Sequence, residues 1–262
     1  MLLLRKQLEI WLDKIIGEKQ MKYKDYYNND YILDITQKIY SVMPDFDKEI
    51  FSRHLAGQLD DKELFPRIDC IVDAMEMSMT ADYSKNIEAF FNMLGPELTQ
   101  PEGMFNCGWW LWPMGRYVER HGNENWSLSL SFLKELTKRF TGEFAIRPLL
   151  KKHPKEVMDE LIKWTEDENV HVRRLASEGV RIRLPWSPKL LVALEEFERY
   201  TAILTNLKDD PERFVQKSVG NNLNDLYKEA PEKADLIISQ WRETAPSKAQ
   251  EWIIKHGRRN QK

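Results

Sequence analysis

Apolar residues recur at three- and four-residue intervals along nearly the whole chain, and the strict alternation of a half-buried strand, with Asn-Gly or Asp-Gly turns, is absent. The period predicts an all-α protein. Leu2, Leu4, Leu8, Trp11, Ile15 and Ile16 outline a first helix, and the polar stretch Lys22 to Asp30 reads as a connector, so residues 1–30 form a peripheral helix and linker. Helices are then predicted over Ile32 to Val42 and Asp45 to Leu55, and over Glu63 to Met79 and Tyr83 to Leu94, the last stopped by Gly95-Pro96. A loop from Pro96 to Gly103 leads into the aromatic cluster Trp109, Trp110, Trp112 and Tyr117, where Pro113 kinks or starts a helix.

From Trp126 the segments pair more regularly: Ser127 to Phe140, Thr141 to Lys152, Pro154 to Glu166, Val170 to Arg183, Lys189 to Asn206, Pro211 to Glu229, Pro231 to Glu243 and Ser247 to His256. Pro, Ser, Thr or Asn stands near each start, as helix N-termini favour. The stretch Asp167 to Ala176 also overlays Asp210 to Val219 at a 43-residue step, each an acidic loop followed by Val, a basic residue and small or apolar positions. That step suits HEAT-like helix pairs, each burying its apolar face only by stacking on its neighbours. The expected fold is therefore an α-α superhelix, an α-solenoid, in one domain over 1–262. The polar side chains of its second helices would line a concave face.

At 262 residues the chain suffices for one large or two small domains, and 31% charged with 42% apolar residues excludes dominant disorder. No stretch is apolar enough to span a membrane, and Leu2-Leu3-Leu4 precedes Arg5-Lys6, the wrong order for a signal peptide, so a cytoplasmic protein is expected. Cys70 and Cys107 stand far apart and read as buried free thiols. With 39 basic against 42 acidic residues, a polyanion would have to be held by a local basic face.

No Walker loop, GxGxxG, GxSxG or HExxH occurs, and the histidines at 54, 121, 153, 171 and 256 lack metal-ligand spacing, reading instead as caps or surface groups. What remains is acidic residues set among arginines and aromatics. Glu143 precedes Arg147 by four. Glu178 has Arg174 at i−4 and Arg181 at i+3, with Arg173 and Arg183 close by; Asp225 has Asn221 at i−4; Trp186 sits between Pro185 and Pro188. Such pairs are commonly solvated decoration. Against that stand the repeated choice of arginine, which matches phosphate bidentately, and the recurrence of carboxylates on successive second helices.

Three stretches carry a specific resemblance: Thr137 to Pro148 (TKRFTGEFAIRP), Asn169 to Trp186 (NVHVRRLASEGVRIRLPW) and Val215 to Asp225 (VQKSVGNNLND). In these the chain resembles the AlkC branch of the AlkC/AlkD-like DNA alkylation repair glycosylases. Weaker similarity runs back through Pro44 to Asp47 and Trp112-Pro113 and forward to Trp252 to His256. The resemblance implies a C-shaped, right-handed superhelix of HEAT-like repeats gripping duplex DNA, and hydrolysis of the N-glycosidic bond of cationic alkylated purines, chiefly 3-methyladenine. It implies no metal, no cofactor, no obligate protein partner and a monomer, and attack without a deep pocket for an extrahelical base.

Glu143, Glu178 and Asp225 match the family's active-site positions, with Glu143 leading. An alkylated purine is already a good leaving group, so carboxylates near C1′ would stabilise the oxocarbenium-like sugar and position water. Trp186 and Trp112 would offer π faces, and Arg147, Arg173, Arg174, Arg181 and Lys217 would hold phosphates. Two departures stand out. Only Gly257 to Lys262 follows the final helix, so the immunoglobulin-like domain of some relatives is expected to be missing, and Gly220 replaces an expected alanine. A non-catalytic protein recognising damaged or branched DNA would keep the arginines without needing Glu143. A protein-binding solenoid would need neither.

Overall fold

The computed structural model describes residues 22–101 and 104–261. The helix expected over Leu2 to Ile16 lies outside them. Among the described residues there is no strand, and no helix is long and apolar enough to cross a membrane.

The helices are α1 (Tyr23–Tyr26), α2 (Asn29–Val42), α3 (Lys48–Leu55), α4 (Leu64–Ser78), α5 (Tyr83–Phe91), α6 (Met104–Cys107), α7 (Trp112–His121), α8 (Trp126–Thr137), α9 (Ile146–Lys152), α10 (Pro154–Trp164), α11 (Val170–Glu178), α12 (Val192–Glu195), α13 (Phe197–Asn206), α14 (Arg213–Glu229), α15 (Pro231–Trp241) and α16 (Lys248–Gly257). Their starts follow elementary capping chemistry. Side chains of Asn28, Asp47, Asp82, Asn125, Asn169 and Ser247 accept hydrogen bonds from first-turn amides, while Pro154 and Pro231 occupy the first positions of α10 and α15 and Pro113 the second of α7.

Two layers result. α4 packs on α7 and α7 on α9, and further along α11 packs on α14 and α14 on α16; α5 packs on α8, and α10 on α13, in the other layer. α11 and α14 begin at Val170 and Arg213, the repeat step read from the sequence. One continuous apolar core runs between the layers, from Tyr27 and Ile35 through Leu133, Leu149 and Leu175 to Leu223 and Ile253. This is an all-α superhelix of stacked pairs.

Several expectations are corrected. The Lys22–Asp30 connector carries α1 and the cap of α2, and Tyr27 and Tyr31 are buried, their hydroxyls donating to the carbonyls of Trp109 (2.6 Å) and Trp110 (3.1 Å). Lys189 to Asn206 divides at Glu196 into α12 and α13. Cys70 is buried but Cys107 is exposed. His171, expected as a cap or surface group, is buried with its Nε2 2.9 Å from the Gln100 carbonyl.

Two differences shape the site. α9 starts at Ile146, not Thr141, because Thr141 Oγ1 accepts the Glu143 amide (3.2 Å) and turns the chain; Gly142 sits in that turn where a Cβ would meet Leu175 Cδ2 at 3.1 Å. α11 ends at Glu178, not Arg183. Gly179 there lies against Ile146, whose Cγ2 a Cβ would approach to 2.8 Å.

Candidate active site

Glu143 lies on the turn before α9, Arg174 and Glu178 on successive turns of α11, Arg181 just beyond it and Asp225 on α14. Stacking of the pairs brings them into one buried row of alternating charge. Arg174 Nη1 is 2.7 Å from Glu143 Oε2 and its Nη2 3.4 Å from Glu178 Oε1. Arg181 Nη1 donates to the same Glu178 oxygen at 2.9 Å, and its Nε to Asp225 Oδ2 at 3.0 Å. Hydroxyls complete the set: Thr141 Oγ1 donates to Glu143 Oε2 (3.0 Å), and Ser218 Oγ to Glu178 Oε2 (2.6 Å). The i,i+4 pair Arg174–Glu178 is thus not surface decoration, for each of the five charged side chains is at least nine-tenths buried or nearly so, whereas the expected Glu143–Arg147 pair does not form because Glu143 lies before α9 and meets Arg174 instead.

The two glutamates differ. Burial pushes the Glu143 carboxyl above its ordinary value, against Arg174. Burial acts on Glu178 too, but Arg174, Arg181 and the Ser218 hydroxyl outweigh it and hold that carboxyl below the usual glutamate value. Divergence of this kind within one row separates the roles two carboxylates can play. Among the described residues the hydrogen bond and ion pair of Glu143 fall on Oε2, which leaves Oε1 uncommitted.

Above the row opens a cleft of about 260 Å³ lined by Glu143, Arg174, Glu178 and the aromatic rings of Tyr23, Phe105, Trp112, Phe144 and Trp186. It adjoins a larger groove of about 1130 Å³ that shares Tyr23, Phe105, Arg174 and Glu178 and continues along Arg213, Lys217 and Asn221 of α14. Trp112 forms part of the cleft floor, buried and stacked on Phe144 (5.8 Å between centroids). Trp186 is the opposite, 68% exposed, and its one aromatic pair among the described residues is an edge contact with Phe65. Its φ of 61° makes it the single non-glycine in the left-handed region among the described residues. A bulky side chain there costs on the order of 1–3 kcal/mol and persists only where its surroundings enforce it.

Arg147 does the enforcing. Expected at a phosphate, it is instead buried, with its Nη1 donating to the carbonyl of Arg181 (2.8 Å) and its Nη2 to that of Pro188 (2.6 Å). Burial, reinforced by Arg181, lowers its pKa to about 10, which still leaves it charged. The guanidinium collects the acceptors released where α11 stops and ties the Trp186 turn to α9. Arg147→Met should cost about 1–3 kcal/mol by orphaning those carbonyls and should speed hydrogen exchange over residues 179–188. An unchanged exchange pattern would show that the turn holds itself.

The other expected cations sort unevenly. Arg173 is engaged by Asp210 (2.7 Å) and the carbonyls of Asp167 and Glu168, closing the loop before α11. Arg174 and Arg181 lie within the buried row; Lys217 alone is exposed, with no ion pair among the described residues. Asp225 does not line the cleft: Arg181 and the Arg183 amide (3.2 Å) surround its carboxylate. Thr141, Ser218, Phe144 and Tyr23 were not singled out from the sequence. The first three lie inside the stretches quoted above, but nothing in the polar run around Tyr23 signals its place. Among the described residues no three His, Cys, Asp or Glu side chains are gathered as metal ligands.

Comparison with known proteins finds relatives among DNA alkylation repair proteins. A model of the DNA alkylation repair enzymes matches residues 140–259, a span holding Glu143, Arg174, Glu178, Arg181 and Asp225. The fold superposes with a TM-score of 0.78 on the Pseudomonas fluorescens alkylpurine DNA glycosylase AlkC bound to DNA containing an abasic site analog, at 30% identity over 91% of this chain. Over these spans the chain is similar to DNA alkylation repair proteins. The Bacillus subtilis (strain 168) protein YhaZ is 33% identical over 240 residues, 90% of this chain. This AlkC-like chain spans 63% of the length of YhaZ and 64% of that of the Pseudomonas glycosylase chain. The matched span also sets a division within the site: the carboxylate row lies inside it, whereas Tyr23, Phe105 and Trp112 on the cleft's far side lie outside.

Proposed function

We propose that this AlkC-like protein is a monofunctional DNA glycosylase that releases cationic alkylated purines, chiefly 3-methyladenine, from duplex DNA. The observation that carries the reading is the pairing of a carboxylate oxygen of Glu143 that is uncommitted among the described residues with a cleft walled by aromatic rings. Both features favour positive charge, and the reaction carries it twice, first on the alkylated base and then on the sugar as the N-glycosidic bond breaks.

The alkylated base leaves as a neutral purine without being protonated, so no general acid is required. Glu143 Oε1 would face the developing oxocarbenium and accept a hydrogen bond from the attacking water. Glu178, held anionic by Arg174 and Arg181, adds a fixed negative field behind it. Arg174 keeps the two carboxylates apart and ionised, and Asp225 acts through Arg181. At about 260 Å³ the cleft is smaller than a typical ligand pocket, which suits a base edge and sugar better than a whole extruded nucleotide.

The test is release of free 3-methyladenine from methylated duplex under single-turnover conditions with a chelator present, leaving an abasic site. Release at a rate well above spontaneous depurination is expected. Binding of methylated duplex with no base released over hours would instead identify a non-catalytic recogniser of damaged DNA.

A further inference from the structure

The groove's far wall carries a group of cations unlike those of the carboxylate row. Arg213 and Lys217 lie one helical turn apart on exposed positions of α14, and Asn221 follows one turn later. Facing them from the last helix are His256 and, just past its end, Arg259. Arg213, Lys217 and Arg259 make no ion pair with a carboxylate among the described residues, in contrast to Arg147, Arg173, Arg174 and Arg181, whose guanidinium groups are all engaged within the fold.

These cations are nevertheless organised. Arg213 lies over the Trp252 ring at 4.0 Å, and His256 stacks on the same indole at 4.8 Å with an 8° interplanar angle. Asn221 Oδ1 accepts from both His256 Nε2 and Arg259 Nη2 at 3.0 Å. A carboxamide oxygen fixes two donors as a carboxylate would, but leaves the Arg259 charge in place, while burial and the neighbouring Arg259 and Lys217 hold the His256 imidazole below its ordinary value, so that it serves as a neutral donor. Ring faces and an amide thus replace the counter-ions this cluster would otherwise carry.

Glycine permits the arrangement. At Gly220, where the family resemblance implies alanine, a Cβ would stand 2.8 Å from His256 Cδ2 and 3.2 Å from the Ile253 carbonyl. At Gly257 a Cβ would come within 2.7 Å of Leu223 Cβ. The two glycines let α14 and α16 approach until the donors of the last helix reach Asn221. A departure that weakens α14 by up to about 1 kcal/mol as an isolated helix is what seats His256 against Asn221.

We propose that Arg213, Lys217 and Arg259 form a phosphate-binding ledge for the backbone of duplex DNA, ordered but not neutralised by Asn221 and His256. The ledge rests on the DNA reading given above and adds to it the residues that grip the strand beyond the cleft. It replaces the buried arginines as the source of the electrostatic grip. Phosphate contacts of this kind carry affinity and position the duplex without reading sequence.

The decisive variant is Asn221→Asp, which keeps both hydrogen bonds and adds one negative charge. It should make the fold slightly more resistant to denaturant while lowering affinity for duplex DNA roughly tenfold at 0.1 M salt, and should reduce the slope of log K against log salt by about one. Arg213→Ala combined with Arg259→Ala, both at exposed positions, should reduce that slope by about two. The same measurement on Lys155→Ala, exposed on α10, controls for net charge. Unchanged affinity and slope in Asn221→Asp and in the double variant, with wild-type protein binding duplex normally, would overturn the ledge and leave the glycosylase reading standing. Wild-type protein with no affinity for duplex DNA would overturn both.

Discussion

Glu143→Gln is expected to slow single-turnover base release by a hundredfold or more, with DNA affinity unchanged or improved. The substitution preserves size and the bond from Thr141 while removing the charge that faces the developing sugar cation. A hundredfold is about 2.7 kcal/mol, the scale of one preorganised electrostatic group. The pH profile gives a second readout. Because burial raises the Glu143 carboxyl, it loses its negative charge as the pH falls through a value above that of free glutamate. Wild-type release should therefore decline on the acid side earlier than an exposed glutamate would dictate, and Glu143→Gln should flatten that limb. Full activity in the variant would move the leading role elsewhere in the row. Glu178→Gln and Asp225→Asn should also slow release, with effects that do not add, since Arg174 and Arg181 couple all three carboxylates.

The second large effect concerns Arg174, which the sequence suggested as a phosphate contact. Arg174→Met should destabilise the fold by about 3–5 kcal/mol, because it leaves Glu143 and Glu178 buried side by side without their shared cation. The loss should shrink as the pH falls and the carboxyls take up protons, and Glu143→Gln in the same chain should recover much of it. Chemical denaturation across pH measures both. A loss below 1 kcal/mol, with a salt slope of DNA binding reduced by one, would return Arg174 to the phosphate backbone.

The fold was legible because HEAT-like pairs write themselves into a chain locally. Capping residues, prolines and the apolar period placed most helices within a few residues, and the repeat step matched the starts of α11 and α14. The carboxylates were legible for a different reason: Glu143, Glu178 and Asp225 sit in stretches specific enough to carry a family resemblance. Their division of labour was not. Where α11 stops depends on the packing of Gly179 against Ile146, a contact between segments far apart in sequence. Once the helix stops there, Arg181 turns to Asp225 and Arg147 turns to carbonyls, so neither reaches solvent. Arginine spacing along a strip of sequence cannot distinguish a guanidinium that faces phosphate from one that braces a turn. Arg213 was the cation most open to discovery, lying four residues before Lys217 on the same face of α14.

The left-handed backbone at Trp186 has a consequence for how this protein would respond to selection. Glycine at that position would relieve the local strain, leave little contact unmade because the ring is mostly exposed, and so raise thermal tolerance. A library screened for heat resistance alone would accumulate that change and lose the aromatic wall of the cleft with it. Robustness and the proposed base release pull in opposite directions at this one residue.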